Sequence, residues 1–360
     1  MGPVRITTSI LAIAFLTACA SSESEHLAET PSAAPPASPA PAATRKSLYV
    51  ASGSCYAGGV TTSTGSGTVV TFDPANGALE KVLVDYNSFS PGDMPVGIAE
   101  YDADHILVLI ENTAGRRLDL IRKDGSGGST FLTNGTALNG VLRTLLKLAD
   151  GSYLVSKSTA VEKFAPSKAR VTQGANPYVS APGGTCATST TLVSSIQQLG
   201  NGKLLYTHAA ASPNNKLGLI SATGYAAAAD CLASQASPTT TALPSASLYH
   251  SSGKLLVAFG STTLASNFIY AYDVNETTNA ITGATPAWTD NAFVNGPSAM
   301  TEDRDTGTVY VANGNAAFNS IEAFGFDPAT KLLSKSSPLP FTPVSVYTRC
   351  VTAMKVMSSQ

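Results

Sequence analysis

Thr306-Gly307-Thr308-Val309-Tyr310-Val311 decides the fold: a turn dipeptide runs straight into a short β-branched and aromatic segment. The same device recurs upstream. Segments start at Ser47 (SLYV), His105 (HILV), Ser152 (SYLV), Lys203 (KLLY), Lys254 (KLLV) and Thr308 (TVYV), at separations of 58, 47, 51, 51 and 54 residues. Asp102-Ala103-Asp104, Asp150-Gly151, Asn201-Gly202 and Ser252-Gly253 precede four of the others. Such pairs between apolar runs are strong hairpin signals, because both residues tolerate positive φ. Ahead of the turns lie further strand-like runs, such as Pro95–Ile98 and Leu142–Leu148. A third run follows most segments, including Thr68–Phe72, Arg117–Ile121, Lys216–Ile220, Phe268–Tyr272 and Ser320–Phe324, with a weaker fourth after it.

Four antiparallel strands in about 50 residues make one blade of a β-propeller. A small sheet that buries both faces needs a neighbour on each side, so the blades must close into a ring. The chain ends fit closure. Arg349–Met357 reads as a first strand with no second strand after it, and the run from Ser47 reads as a second strand with no first before it. Joined, they complete a sixth blade. The expected fold is all-β: a six-bladed β-propeller closed by pairing of the N- and C-terminal strands, over residues 47–360.

Thr308–Gly314 (TVYVANG) and Ser320–Thr330 (SIEAFGFDPAT) resemble repeats of lactonase-like and YVTN-type propellers, and Thr71–Gly77 (TFDPANG) echoes the second. The likeness covers two blades well and the rest loosely. It implies a fold, one that hosts enzymes, binders and scaffolds alike.

The first 46 residues carry an address. Arg5 precedes a mostly apolar run, Ile6–Leu16, too short for a helix that spans a bilayer core of about 30 Å. Residues 1–18 read as an export signal. Leu16-Thr17-Ala18-Cys19 resembles the lipobox of bacterial lipoproteins, which implies acylation of Cys19 as the first mature residue; the other reading is an ordinary secretory signal. Ala20, in place of an aspartate, points to the outer membrane under the enteric sorting rule. Residues 19–46 then form a disordered tether rich in Pro, Ala and Ser, able to reach roughly 80 Å if extended as polyproline II.

Composition excludes some classes. Of 360 residues 13% are charged, against about 25% in an average protein. Lys plus Arg is 22 and Asp plus Glu is 24, a net charge of −2, so the basic excess of a nucleic-acid binder is missing. At 43% hydrophobic the chain can fill a core.

With Cys19 lipidated, four cysteines remain, and four in an exported protein suggest two disulfides. Cys55 ends a second strand and Cys350 begins the first strand of the same blade, so antiparallel pairing brings them together. Cys186 and Cys231 then pair by elimination, near the fourth blade. The alternative is four buried thiols. No C-x-x-C is present, and no zinc site is expected.

Propeller ligands favour the face carrying the loops after second strands and before first strands. That face offers Asp93, Glu111, Asn112, Arg143, Lys157, His208, Asn313 and Arg349. His208 is isolated from other histidines, and a lone His is more often a structural hydrogen-bonder than a base. Arg143, Lys157 and Arg349 would make a basic rim suited to an anion, or ordinary solvated charge. Glu111-Asn112 supplies oxygen donors suited to calcium, as the lactonase resemblance would require. Carboxylates at the equivalent points of the other blades are missing. No G-x-S-x-G elbow, P-loop or H-E-x-x-H is present. No catalytic residue, metal ligand or cofactor is therefore assigned. The expectation is a monomeric, lipid-anchored envelope propeller that binds or scaffolds a protein or envelope polymer without catalysis. The alternative is a lactonase-like hydrolase with calcium in the central channel.

Overall fold

Asp150-Gly151 and Asn201-Gly202 turn the chain as their chemistry dictates. The N–H of Gly151 donates to Leu148 O and that of Gly202 to Leu199 O, each at 3.0 Å, with φ of 79° and 83°. Leu148 N–H returns a bond to Ser152 O (2.8 Å), and Leu199 N–H to Lys203 O (2.9 Å). This is a three-residue hairpin loop ending in a left-handed residue, a backbone state glycine adopts without steric cost. The Asp150 carboxylate and the Asn201 amide oxygen add bonds from the N–H groups of Ser152 (2.9 Å) and Lys203 (3.1 Å).

The computed structural model describes residues 45–359, apart from short connecting stretches and the side chains of residues 54–65. The longest of those stretches are 173–177, 181–185, 187–192, 210–215, 225–229 and 261–266. The expected signal, Cys19 and most of the tether lie outside the described residues.

Blade 1 holds β1 (Lys46–Ala57), β2 (Val60–Phe72) and β3 (Leu79–Asp85). Blade 2 holds β4 (Met94–Glu100), β5 (His105–Glu111), β6 (Arg117–Arg122) and β7 (Gly128–Leu132). In blade 3, β8 (Leu142–Lys147), β9 (Tyr153–Lys157) and β10 (Ala160–Phe164) are followed by β11 (Arg170–Val171) and β12 (Val179–Ser180). Blade 4 is β13 (Val193–Gln198), β14 (Leu204–His208), β15 (Lys216–Ile220) and β16 (Cys231–Ala236). Blade 5 is β17 (Leu243–Tyr249), β18 (Lys254–Gly260), β19 (Phe268–Asn275) and β20 (Ala280–Trp288). Blade 6 is β21 (Pro297–Asp303), β22 (Thr308–Asn313), β23 (Ile321–Asp327) and β24 (Leu332–Lys335). The last strand, β25 (Val351–Ser358), returns to blade 1 in the order β25-β1-β2-β3. The fold is thus the expected six-bladed propeller. Blade 3 departs from the pattern: its outer position is split between β11 and β12, which pair with different ends of β10.

The second strands explain why the sequence looks continuously apolar there. Residues 106–110 of β5 are all buried. Ile106, Val108 and Ile110 pack toward blade 1 with Tyr49, Val69 and Leu83. Leu107 and Leu109 face the other way, packing with Leu142, Tyr153 and Val155 of blade 3. Side chains alternate across a strand, so a strand between two neighbours needs apolar residues at every position. The six apolar clusters follow this rule, one at each blade junction.

Closure runs through the same chemistry. β25 pairs antiparallel with β1 from Lys46↔Ser358 to Ser52↔Val351. Val351 and Met354 join Leu48 and Val50 in packing against Tyr310 and Ala312 of blade 6. The Tyr310 hydroxyl donates to Pro74 O (2.7 Å), and Lys46 Nζ reaches Asp303 (2.8 Å).

Cys186 is fully buried at the junction of blades 3 and 4 and is bonded to Cys231, the first residue of β16. Cys350 is also buried and disulfide-bonded, and its carbonyl accepts from Gly53 N–H at 3.1 Å. The side chain of Cys55, its expected partner, lies outside the described residues.

Candidate functional site

The inner strands β4, β8, β13, β17, β21 and β25 line a central channel with a cavity of about 340 Å³. Each has a paired neighbour on one side only. All six carry a β-bulge near the start, with one residue left out of register against the second strand: Val96, Arg143, Ser194, Ser245, Ser298 and Thr352. A bulge bends its strand and re-aims the extra side chain.

Three of these side chains staple adjacent blades. Ser194 donates to Pro244 O (2.8 Å), Ser298 to Val351 O (2.6 Å) and Thr352 to Pro95 O (2.6 Å). In each case the acceptor precedes the bulge of the next blade. Ser245 instead donates within its own blade to Ala258 O (3.2 Å). Val96 has no hydroxyl, and at the junction of blades 2 and 3 Glu111 takes over: its Oε2 accepts from the N–H of Leu142, the residue before the next bulge, at 2.7 Å. Deeper in the channel the Ser247 and Ser195 hydroxyls meet at 2.9 Å, and Gln197 donates to Ser247 O at 2.8 Å.

The candidates read from the sequence fall at one end of the ring, at strand ends or in adjoining loops; three share blade 2, and Arg143 and Lys157 share blade 3. Asp93, Glu111 and Asn112 cluster at the loop end of blade 2. Asp93 is fully buried and accepts from Asn112 and from Arg117. Arg117 also grips Asp119 through Nε at 2.9 and 3.0 Å. Burial works against the Arg117 charge, but the bonds to Asp93 and Asp119 outweigh it and raise its pKa. Burial also raises the Asp119 carboxyl, against the pull of Arg117. Glu111 receives Arg116 on Oε1 (3.0 Å) besides the Leu142 N–H on Oε2. Both of its oxygens serve protein donors, so it does not present a free ligand to calcium; a cation there would have to displace Arg116. Among the described residues no group of three His, Cys, Asp or Glu side chains could hold a metal ion.

Beyond Arg143 and Lys157 the others lie on different blades, and most have structural work. Lys157 pairs with the fully buried Glu162 (2.6 Å), which Arg170 also holds (2.8 Å). Asn313 is fully buried, donating to Phe293 O (2.8 Å) and accepting from Asn295 N–H (2.9 Å). His208 is buried at the end of β14 between Val193 and Lys216. Arg349 is exposed just before β25, and Arg143 lines the channel. Lys157 therefore belongs to a buried ion-pair network, not to an open basic rim. Sequence reading missed Arg116, Arg117 and Asp119; the i,i+2 spacing of Arg117 and Asp119, which places them on one strand face, was the available signal.

No family model matches the chain, and no curated protein matches it by sequence. Among solved structures it is similar to a chain of the nidogen/laminin complex (TM-score 0.57, 13% identity, 88% of this chain and 100% of that one). It is also similar to a protein from Lactobacillus plantarum (TM-score 0.51, 12% identity, 87% and 99%). A third likeness is to virginiamycin B lyase from Staphylococcus aureus, solved with quinupristin (TM-score 0.48, 14% identity, 70% and 73%). At these identities the likeness establishes the fold alone.

Proposed function

We propose that this protein is a lipid-anchored component of a bacterial cell envelope, in the outer membrane, whose propeller binds a protein or envelope ligand without catalysis. The observation that carries the reading is the commitment of the loop-face polar groups to structure. Asp93, Glu111, Lys157 and Asn313 each hold strands, loops or blades together. The nidogen/laminin complex supports it by analogy of fold, as a protein assembly containing a propeller of this shape. The anchor rests on Leu16-Thr17-Ala18-Cys19. No helix among the described residues is long and apolar enough to cross a membrane.

Cys19→Ser is expected to abolish metabolic labelling by a palmitate analogue; labelling that persists refutes the anchor. Crosslinking in intact cells, followed by pull-down, is expected to recover an envelope partner that is lost when the chain is unfolded first. Stoichiometric calcium, together with lactone turnover that Glu111→Gln abolishes, would replace this reading by the hydrolase.

A further inference from the structure

A second cavity, of about 590 Å³, opens on the rim between β3 of blade 1 and β6 and β7 of blade 2. Arg117, Asp119 and Ile121 line it together because alternate residues of β6 share a face. Leu118, on the other face, packs into the junction of blades 2 and 3. Leu83 and Val84 of β3 form the facing wall, and Tyr86 closes one end. Gly125, Gly127 and Gly128 border the other end without side chains, which leaves it open.

The end at Tyr86 is rich in acceptors that the protein leaves underused. Tyr86 is 4% exposed and Asp119 5%. Burial first, and then Asp119 beside it, raise the pKa of the Tyr86 phenol, which stays neutral. Its hydroxyl is enclosed and makes no hydrogen bond of ordinary geometry, so no donor reaches its oxygen. The two Asp119 oxygens share a single N–H, that of Arg117 Nε (2.9 and 3.0 Å), while Arg117 Nη2 serves the fully buried Asp93. Burial raises the Asp119 carboxyl more than Arg117 lowers it. Two buried carboxylates thus lean on one guanidinium.

The surrounding charges do not make up the difference. Arg116 holds Glu111 (3.0 Å). Asp85, next to Tyr86 in the chain, adds a further carboxylate, which accepts from Asn87 N–H (3.0 Å) and the Ser88 hydroxyl (2.8 Å). Lys81 and Arg122 bind Asp124 at the glycine end, through its carbonyl (3.0 Å) and its carboxylate (3.3 Å). Lys81 is exposed there, about 16 Å of strand from Tyr86, where water and salt screen it. A buried carboxylate short of positive charge is costly, and a cation entering the cavity offsets that cost.

We propose that this rim cavity binds an organic ammonium, whose N–H groups go to Asp119 and the Tyr86 oxygen and whose hydrocarbon part rests on Leu83, Val84 and Ile121. Charge selects a cation: an anion would face Asp93 and Asp119, and a neutral alcohol would leave the excess in place. The donor set selects an ammonium over a metal ion. Among the described residues no group of three His, Cys, Asp or Glu side chains could hold a metal, whereas calcium takes about six to eight oxygens. The volume suits a small molecule. The site lies apart from the channel, and the inference does not rest on the envelope-partner reading.

The test titrates the purified full chain with n-butylammonium, butanol and butyrate at pH 7 and constant ionic strength, followed by saturation-transfer NMR. Saturable binding of butylammonium is expected, with butanol and butyrate at least tenfold weaker. Asp119→Asn removes a charge-assisted acceptor and should weaken butylammonium about tenfold or more. Tyr86→Phe removes a neutral acceptor and should weaken it about two- to tenfold. Tyr86→Phe deletes one atom that has no partner, so it tests the site in an intact ring whatever Asp119→Asn does to stability; circular dichroism melts verify this. No saturable binding of butylammonium, butyrate or butanol binding as tightly, or an affinity that Tyr86→Phe leaves unchanged would overturn the proposal. None of these results bears on the crosslinked envelope partner.

Discussion

Thr352→Val is the sharpest perturbation of the blade staples. Valine matches threonine in shape but removes the hydroxyl that donates to Pro95 O at 2.6 Å and lies 3.2 Å from Ala51 O. Pro95 is buried. A methyl group added at Gly53 would lie 2.2 Å from the Pro95 oxygen, so the backbones of blades 1 and 2 are in close contact there. A substitute donor has little room to enter. Leaving a buried acceptor short of its donor costs about 1–3 kcal/mol, and the half-buried position of Thr352 favours the lower part, about 1–2 kcal/mol. For a domain of this size that corresponds to a fall in Tm of roughly 2–4 °C. Urea unfolding followed by tryptophan fluorescence and far-UV circular dichroism reads it as a lower midpoint with an unchanged slope. Ser194→Ala removes the equivalent bond to Pro244 O at the junction of blades 4 and 5. The two sites share no partner, so the double variant should lose the sum of the single losses to within about 0.5 kcal/mol. If Thr352→Val and Ser194→Ala both leave the midpoint where it was, the hydroxyls do not hold the blades and the reasoning fails.

Loss of the Cys186–Cys231 bond, which spans 45 residues, should lower stability by up to about 4 kcal/mol, read as a drop in Tm of Cys186→Ser; dithiothreitol, which also reduces the Cys350 disulfide, should lower the Tm of the wild type at least as far, and a Cys186→Ser chain that melts like the wild type contradicts this. Burial pushes the Asp150 carboxyl up, but bonds from Ser152 and Lys163 win and bring its pKa to about 2. A depressed carboxylate contributes stability that is complete above its unfolded pKa of about 3.9 and lost as pH falls through the folded value. The Tm gap between wild type and Asp150→Asn should therefore be constant above pH 5 and shrink between about pH 4 and pH 2. A gap that widens on acidification contradicts the assignment.

Much of this molecule was legible in its sequence for definable reasons. Gly151 and Gly202 occupy the left-handed positions that Asp-Gly and Asn-Gly imply, because a two-strand turn leaves glycine as the low-cost residue there. The unbroken apolar run Ile106–Ile110 marked a strand buried on both faces, and six such strands marked the ring. Closure followed from two chain ends that were each missing a partner strand. The split outer strand of blade 3 was not legible, because the two-residue strands at Arg170 and Val179 are too short to carry a period. The site was read less well. Glu111 looked like a ligand because a residue type alone does not reveal that Arg116 and the Leu142 N–H are already its partners. Lys157 looked exposed because Glu162 is placed against it only by the β9–β10 pairing. The ring of bulge hydroxyls had a faint signal in the recurrence of Val193-Ser194, Pro244-Ser245, Pro297-Ser298 and Val351-Thr352 at inner-strand starts.

Closure of the ring by its two chain ends is tested most directly by deleting residues 351–360. The deletion removes β25 and with it the buried side chains of Val351, Met354 and Met357. At about 1.5–3 kcal/mol each they contribute roughly 5–9 kcal/mol, comparable to the entire stability of an ordinary domain. The truncated chain is expected to show no cooperative thermal transition and to expose apolar surface to a hydrophobic dye. A truncated chain that melts cooperatively within a few degrees of the intact protein would mean that β25 does not seal the propeller.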